Sequence, residues 1–205
     1  MLKQTLDQFA NTLIIETQQR YQLDPSRSPQ HHALEFARTV HAHTCAVGSL
    51  FASSNCRAGC WHCCTLYVST LPIEAELIAQ QIKTMPTKII DETMTRIVVN
   101  AELEQLGVDE YIRRRTPCAF LNLKSRMCRI YTNRPMTCRS YDSQNVSRCV
   151  EAIGDPDKGT PRTLELVQLS AQMNIAFEVM LEHFGMTYHT EALHTGVLNH
   201  LNAGK

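Results

Sequence analysis

The feature that most constrains this chain is a run of nine residues that contains four cysteines. Thiols stand at both ends of the run and at two positions between them, in Cys56-Arg57-Ala58-Gly59-Cys60-Trp61-His62-Cys63-Cys64. Thiolates are preferred ligands of zinc and of iron-sulfur clusters, and a glycine eases the tight turn that such close ligands require. The run predicts that metal ligation, rather than hydrophobic burial, fixes the local backbone.

Further cysteines follow the run at nearly even intervals. Cys118, Cys128 and Cys138 are ten residues apart, and Cys149 comes eleven residues later. Single ligands on separate turns can fold back to complete one site, which makes eight cysteines candidate metal ligands: Cys56, Cys60, Cys63, Cys64, Cys118, Cys128, Cys138 and Cys149. Cys45 lies within a helical stripe far from the run, and we expect it to be an ordinary buried thiol.

The composition indicates one compact domain with reduced thiols. A chain of 205 residues with 43% hydrophobic content can bury a core without help from metal, so a single domain over residues 1–205 is the simplest expectation. No stretch approaches the roughly 20 apolar residues that a membrane span needs, and we see no export signal at the N-terminus. Because nine cysteines is an odd number, disulfides are disfavoured, and we expect a cytoplasmic protein.

Positive charge is concentrated among the cysteines, although the net charge of the chain is zero. Residues 111–150 hold nine basic residues against one acid, a net +8, so the remainder carries −8. Eight thiolates around two divalent ions would leave a formal charge of about −4, which nearby arginines can balance. A basic segment also suits nucleic acid, but no aromatic stacking residues are interleaved with Arg113–Arg115, so we expect metal ions as partners and no nucleic acid or membrane.

Apolar residues recur at helical spacing over most of the chain and predict a mainly α fold. We expect a compact helical domain with an irregular cysteine-rich metal-binding core. Stripes from Leu2 to Leu13 and from Ala33 to Phe51 predict N-terminal helices within residues 1–54. C-terminal helices are expected within residues 160–202.

Residues 55–150 form the predicted cysteine-cluster region, which also contains two helices. Pro72 and Glu74 suit a helix start, and Gly107 suits a helix end. Only Cys64–Thr70 alternates like a short β segment. Surface or capping roles are expected for the histidines outside the nine-residue run. Solvated helix faces are expected for four acidic residues, Glu74, Glu76, Glu102 and Glu104.

The adjacent Cys63 and Cys64 bear on the number of metal ions. Neighbouring side chains tend to diverge, so the pair would serve two ions, or one thiol would bridge them. Eight thiolates would fill two tetrahedral sites of four cysteines each, whereas an iron-sulfur cluster needs only four thiolates. The count fits two zinc ions and leaves iron open.

Cys56, Cys60 and Cys63 also have the C-x-x-x-C-x-x-C spacing by which radical-SAM enzymes hold a cluster. Those enzymes house it in a large partial barrel of alternating strands and helices. This chain is short and helical, and a fourth cysteine follows at once, so the radical-SAM interpretation is disfavoured.

Three cysteine motifs occur in order: Cys56-x-x-x-Cys60-x-x-Cys63-Cys64, then Pro117-Cys118-Ala119-Phe120-Leu121, then Cys128-Arg129-Ile130-Tyr131-x-x-Arg134-Pro135-x-x-Cys138-Arg139. Together they resemble the YkgJ-type cysteine-cluster family, whose domain is described as zinc- or iron-chelating. The resemblance implies ligand roles for the seven cysteines of these motifs, and Cys45 and Cys149 lie outside the pattern. Members are variously labelled iron-sulfur oxidoreductases, and the flagellin lysine methylase group carries related motifs.

Two functions follow as hypotheses. The favoured one is a metal-binding protein that holds zinc (or iron) through a polynuclear cysteine-thiolate site, in a structural or metal-handling role, because filled thiolate coordination leaves no open position for substrate. The alternative is an iron-sulfur oxidoreductase or related metalloenzyme. The expected cofactor is therefore zinc, with iron or an iron-sulfur cluster as the alternative.

Overall fold

Helices make up most of the structure, a computed structural model that describes residues 2–24, 26–48, 56, 59–143, 145–155, 158 and 162–203. The α-helices are α1 (Leu2–Leu23), α2 (Pro29–Gly48), α3 (Pro72–Lys83), α4 (Thr87–Glu104), α5 (Val108–Arg114), α6 (Met136–Arg139), α7 (Val146–Gly154), α8 (Leu164–His183) and α9 (Leu193–Asn202). An antiparallel pair joins β1 (Ser69–Thr70) to β2 (Glu191–Ala192). The mainly α fold class is confirmed.

Helix boundaries follow local signals where the sequence supplies them. Pro72 begins α3 in the first turn, where its missing N–H costs no hydrogen bond, and Oε2 of Glu74 accepts from the Leu71 N–H at 3.1 Å. Gly107 adopts a φ of 93° after the end of α4, and it also precedes α5, a helix that periodicity did not predict. The predicted extension of α2 to Phe51 lies outside the described residues.

Two hydrophobic clusters form the core, with α3 between them. The first cluster packs α1, α2 and α8 together and takes Ile73 and Leu77 from α3. The second packs α3, α4 and α9 together and takes Phe120 and Ile130 from the cysteine-rich loops. The cysteine loops therefore lie against an existing apolar core.

The predicted β segment at Cys64–Thr70 is only partly correct. Ser69 pairs with Ala192 and Thr70 with Glu191, whereas Cys64 lies in a single 3-10 turn at His62–Thr65. The strand is short because its partner offers two residues before α9 begins at Leu193.

Helices lie near both ends of the described part of the chain. Helices α1 and α2 fall within residues 1–54, and α8 and α9 fall within residues 160–202. The boundary between residues 54 and 55 lies outside the described residues. In the described part of the chain, no helix has both the length and the apolar character needed to cross a membrane.

Candidate metal centre

A cavity of about 280 Å³ lies where the two hydrophobic clusters meet. Leu166 of the first cluster lines one side, and Phe120, Ile130 and Leu193 of the second line another. Eight cysteines line this cavity: Cys45, Cys56, Cys60, Cys63, Cys64, Cys118, Cys128 and Cys138. The structure therefore brings together all seven cysteines of the three motifs.

The first motif reaches the cavity through the 3-10 turn at His62–Thr65. The Cys64 N–H donates to the Trp61 carbonyl at 2.8 Å, and the Leu66 N–H donates to the Cys63 carbonyl at 3.2 Å. Cys63 and Cys64 both line the cavity, and interaction with the Cys64 thiol together with burial raises the pKa of Cys63. Neighbouring side chains were expected to diverge, and the structure places both residues of the pair at the border of the same cavity.

The second and third motifs are tied to the first by the backbone. The Cys118 N–H donates to the Cys64 carbonyl at 2.7 Å. Leu121 and Cys128 form an isolated antiparallel bridge, and the Asn122 N–H donates to the Met127 carbonyl at 2.9 Å. Residues 118–128 thus form a hairpin-like loop that presents a thiol at each end.

Side chains of α3 and α4 hold this loop by its carbonyl groups. The guanidinium of Arg96 donates to the carbonyl oxygens of Leu121 at 2.5 Å and of Cys118 at 2.6 Å. The Gln81 amide donates to the Arg129 carbonyl at 3.2 Å. These bonds satisfy carbonyls in a segment that has little secondary structure of its own.

Cys138 is carried by α6, and one buried carboxylate fixes the start of that helix. Oε1 of Glu74 accepts from the Met136 N–H at 2.9 Å and from His41 Nε2 at 2.9 Å, while its Oε2 accepts from Leu71. Glu74 is only 2% exposed. The expected solvated position of Glu74 is wrong, since this carboxylate joins α2, α3 and α6 beside the cavity.

A second buried carboxylate, Glu104, joins α4 to α9. Its Oε1 accepts from His194 Nδ1 at 2.7 Å, and its Oε2 accepts from the Thr195 N–H at 2.8 Å. Nε2 of His194 accepts from the Ala119 N–H at 3.3 Å, next to Cys118. Glu104 and His194 were expected at the surface and are buried instead, at 6% and 2% exposure.

These buried partners were not found from the sequence, because each pair joins distant segments. His41 and Glu74 are 33 residues apart, and Glu104 and His194 are 90 residues apart. An acid at helical spacing within an apolar stripe, as Glu104 is, was the one local signal that could have suggested burial.

Three of the nine basic residues between Tyr111 and Val150 line the cavity: Arg126, Arg134 and Arg139. Four of the other six have side-chain partners elsewhere. Arg129 pairs with Glu92 at 2.9 Å, and Arg114 pairs with Glu110 at 2.7 Å. The basic segment therefore divides into a cavity-facing group and a group that binds other surfaces of the protein.

The thiols lie close enough to oppose each other's ionisation. Burial raises the pKa of Cys118, Cys128 and Cys138, and the charges of neighbouring cysteines raise it further. Burial also raises the pKa of Cys56 to about 12. Burial alone would lower the pKa of Arg134, but the charge of Cys138 raises it above its usual value. A bound dication would remove the repulsion between thiolates.

The donor set of the cavity fits a thiophilic ion in chemistry. As the side chains stand, no group of three Cys, His, Asp or Glu residues in the described part of the chain forms a ready-made ligand set. Rotation between staggered χ1 positions moves a cysteine sulfur without moving the backbone. Closure of thiolates around an ion therefore requires at least a rotation of the cysteine side chains.

Cys149 and Cys45 occupy positions opposite to those expected. Cys149 is buried in α7, at 8% exposure, and is not among the residues that line the cavity. Cys45, expected to be buried and remote, is exposed and lines the cavity. The apolar stripe predicts that α2 is a helix, but it does not show that one face of this helix borders the cavity.

The described residues thus form a mainly helical domain whose loops converge on a thiol-lined cavity, the architecture of a cysteine-cluster protein. Residues 55–158 match a family model named CxxCxxCC and described as a "putative zinc- or iron-chelating domain". The chain belongs to this family, and the match supports metal binding. Searches of curated proteins and of solved structures find no significant match.

Proposed function

We propose that this chain binds zinc through a polynuclear cysteine-thiolate site in the cavity, in a structural or metal-handling role. The observation that supports the proposal is the convergence of all seven motif cysteines on one cavity. Seven thiolates exceed the four that one tetrahedral ion accepts. They would serve two ions if one thiolate bridges, and the adjacent Cys63 and Cys64 suit such sharing.

The charges around the cavity support this assignment. Seven thiolates with two divalent ions carry a formal charge of about −3. Among the described residues, three guanidinium groups, of Arg126, Arg134 and Arg139, line the cavity against one carboxylate, Asp142. Arginine donors near thiolate sulfur reduce its effective charge and stabilise the bound form.

Zinc in such a site would supply cross-linking between loops rather than reactivity. Full thiolate coordination leaves no position for a substrate or a water nucleophile. The chain's own residues would hold the ions: the first motif from its 3-10 turn, Cys118 and Cys128 from the ends of one loop, and Cys138 from α6.

Elemental analysis tests the identity of the metal. Protein purified without oxygen is expected to be colourless and to carry about two zinc ions per chain. Seven thiolates, one of which bridges, would fill the four ligand positions of each of two tetrahedral ions. A brown protein with acid-labile sulfide would instead support the iron-sulfur alternative and contradict the zinc proposal.

Serine substitution tests the ligands. Cys63→Ser and Cys128→Ser are each expected to lower the metal content and the melting temperature, because metal binding and folding of the cysteine-rich segment are linked. Cys149→Ser is the matched control, since this thiol does not line the cavity, and it is expected to keep the parent's metal content. Equal metal content in all three variants would contradict the proposed site.

A further inference from the structure

We propose that Cys45, which lies outside the three motifs, is an eighth thiolate ligand of the metal centre at its solvent side. This inference rests on the proposed metal site and adds a residue to it. With Cys45 the thiols of the cavity number eight, enough to fill two tetrahedral sites without a bridge.

One face of α2 forms a wall of the cavity. Thr44, Cys45 and Gly48 all line this wall. Counted from His41, they are the third, fourth and seventh residues along the helix, and this spacing places all four residues on one helix face. Cys45 is the exposed member of the cavity cysteines, whereas the seven motif cysteines are half-buried. Cys45 therefore faces the cavity from the side open to solvent.

A fixed guanidinium group holds the Cys45 sulfur. Arg139 donates from Nε to the Arg134 carbonyl at 2.8 Å and from Nη2 to the Thr132 carbonyl at 2.6 Å. Its Nη1 contacts Cys45 Sγ at 2.6 Å. Because two backbone carbonyls already fix the guanidinium plane, the third contact directs a positive charge at the Cys45 sulfur.

Helices α2 and α6, which carry Cys45 and Arg139, are also joined at His41, one helical turn before Cys45. His41 of α2 and the Met136 N–H of α6 both donate to Oε1 of Glu74. This shared acceptor fixes α2 against α6, so the contact between Cys45 and Arg139 forms between braced elements.

A second observation points to an occupant at this wall. The hydroxyl of Thr44 is buried, in a residue of only 4% exposure that lines the cavity, and it has no hydrogen-bond partner among the described residues. Buried hydroxyl groups are normally satisfied, so an unpaired one beside a cavity indicates a missing acceptor. A metal-bound thiolate is an acceptor of suitable charge.

Two readouts test the role of Cys45. Cys45→Ser is expected to release part of its metal at about tenfold lower chelator concentration than the parent chain, because one tetrahedral site loses a thiolate donor. In the zinc-loaded parent chain, Cys45 is expected to react with iodoacetamide about tenfold more slowly than after zinc removal, since a metal-bound thiolate is a poor nucleophile. Peptide mass spectrometry reads the alkylation at each cysteine.

The controls separate this inference from the proposed function. Cys149→Ser is expected to release metal as the parent chain does, and circular dichroism confirms that the exposed substitution at Cys45 leaves the fold intact. If Cys63→Ser loses metal while Cys45→Ser retains it like the parent chain, and Cys45 reacts equally with and without zinc, the inference fails and the proposed function stands. If none of the variants changes metal retention, both fail.

Discussion

Glu74 concentrates four hydrogen bonds and an ion pair on one carboxylate that water barely reaches. It accepts from His41, Met136, Leu71 and, more weakly at 3.4 Å, from Thr70. Burial would raise the pKa of this carboxyl, but the hydrogen bond and charge of His41 lower it below its usual value. Such a carboxylate stabilises the fold only while it is ionised.

Replacing Glu74 tests this account at the scale of one residue. Glu74→Gln is expected to lower the free energy of unfolding by about 3 kcal/mol, because it removes one partner of a buried ion pair and turns an amide toward backbone donors. Chemical denaturation of the metal-free protein measures the change. Glu76→Gln, two positions along α3 and only half-buried, is the matched control and should change stability by less than about 1 kcal/mol.

The pH dependence of stability gives a second check on Glu74. Because its folded pKa lies below the unfolded value near 4.5, its contribution is complete above that pH and is lost as the pH falls through the lowered pKa. The parent chain should therefore lose stability more steeply below pH 4.5 than Glu74→Gln does. Parallel pH profiles for the two proteins would rule out an ionised Glu74.

Which residues lie at the cavity was predictable where the pattern was local. The seven motif cysteines were chosen on spacing and resemblance, and all seven line the cavity. Cys45 and Glu74 were misplaced because their environment depends on Arg139 and His41, which are distant in the sequence. A helical stripe shows which residues share a face, but it does not show what that face meets.

At the scale of elements, side chains of the long helices hold the loops that carry most of the cavity thiols. Arg96 of α4 donates to the carbonyl groups of Cys118 and Leu121 and so holds the loop of residues 118–128. One turn later, Asn100 accepts from the Tyr111 hydroxyl at 2.7 Å, which joins α4 to α5. The loop therefore depends on α4 for its shape. Its own bridge at Leu121 and Cys128 is too short to define it alone.

Arg96→Met tests this dependence, since methionine keeps an apolar stem and removes the donors. The variant is expected to be destabilised by about 2 kcal/mol, because charge-assisted bonds to buried carbonyls are lost, and to hold its metal less tightly. Thermal unfolding and metal retention under a competing chelator measure the two effects. Lys88→Met, an exposed cation on the same helix, should leave both properties unchanged.

Helices and strands were predictable where residues close together in the sequence determine them. The long helices carry apolar stripes and recognisable start and stop residues, so their places were expected. The segment at Cys64–Thr70 was expected to be a strand, but its pairing is set by residues 191 and 192, which lie far along the chain. The short α5 and α6 have too few residues for periodicity to reveal them.

At the scale of the molecule, the cavity lies at the join of two cores that share α3. The first cluster, of α1, α2 and α8, and the second, of α3, α4 and α9, are each built from apolar residues. The mainly α class followed from the sequence because these residues recur at helical spacing. The position of the cavity did not, since it arises from contacts such as that between Cys118 and Cys64, which join separate motifs.

Metal removal should therefore affect the molecule unevenly. The helices supply most of the apolar side chains of the two cores, whereas residues 117–133, which add Phe120 and Ile130 to the second core, depend on loop hydrogen bonds and on the thiols of Cys118 and Cys128. After chelation we expect helical content by circular dichroism to stay within about a tenth of its starting value, because packing of amphipathic faces maintains the helices. Amide exchange should increase in residues 117–133 and at Cys63–Cys64, and stay slow in α4 and α8. A cooperative loss of helix on chelation would contradict this division and would show that the metal is required by both cores.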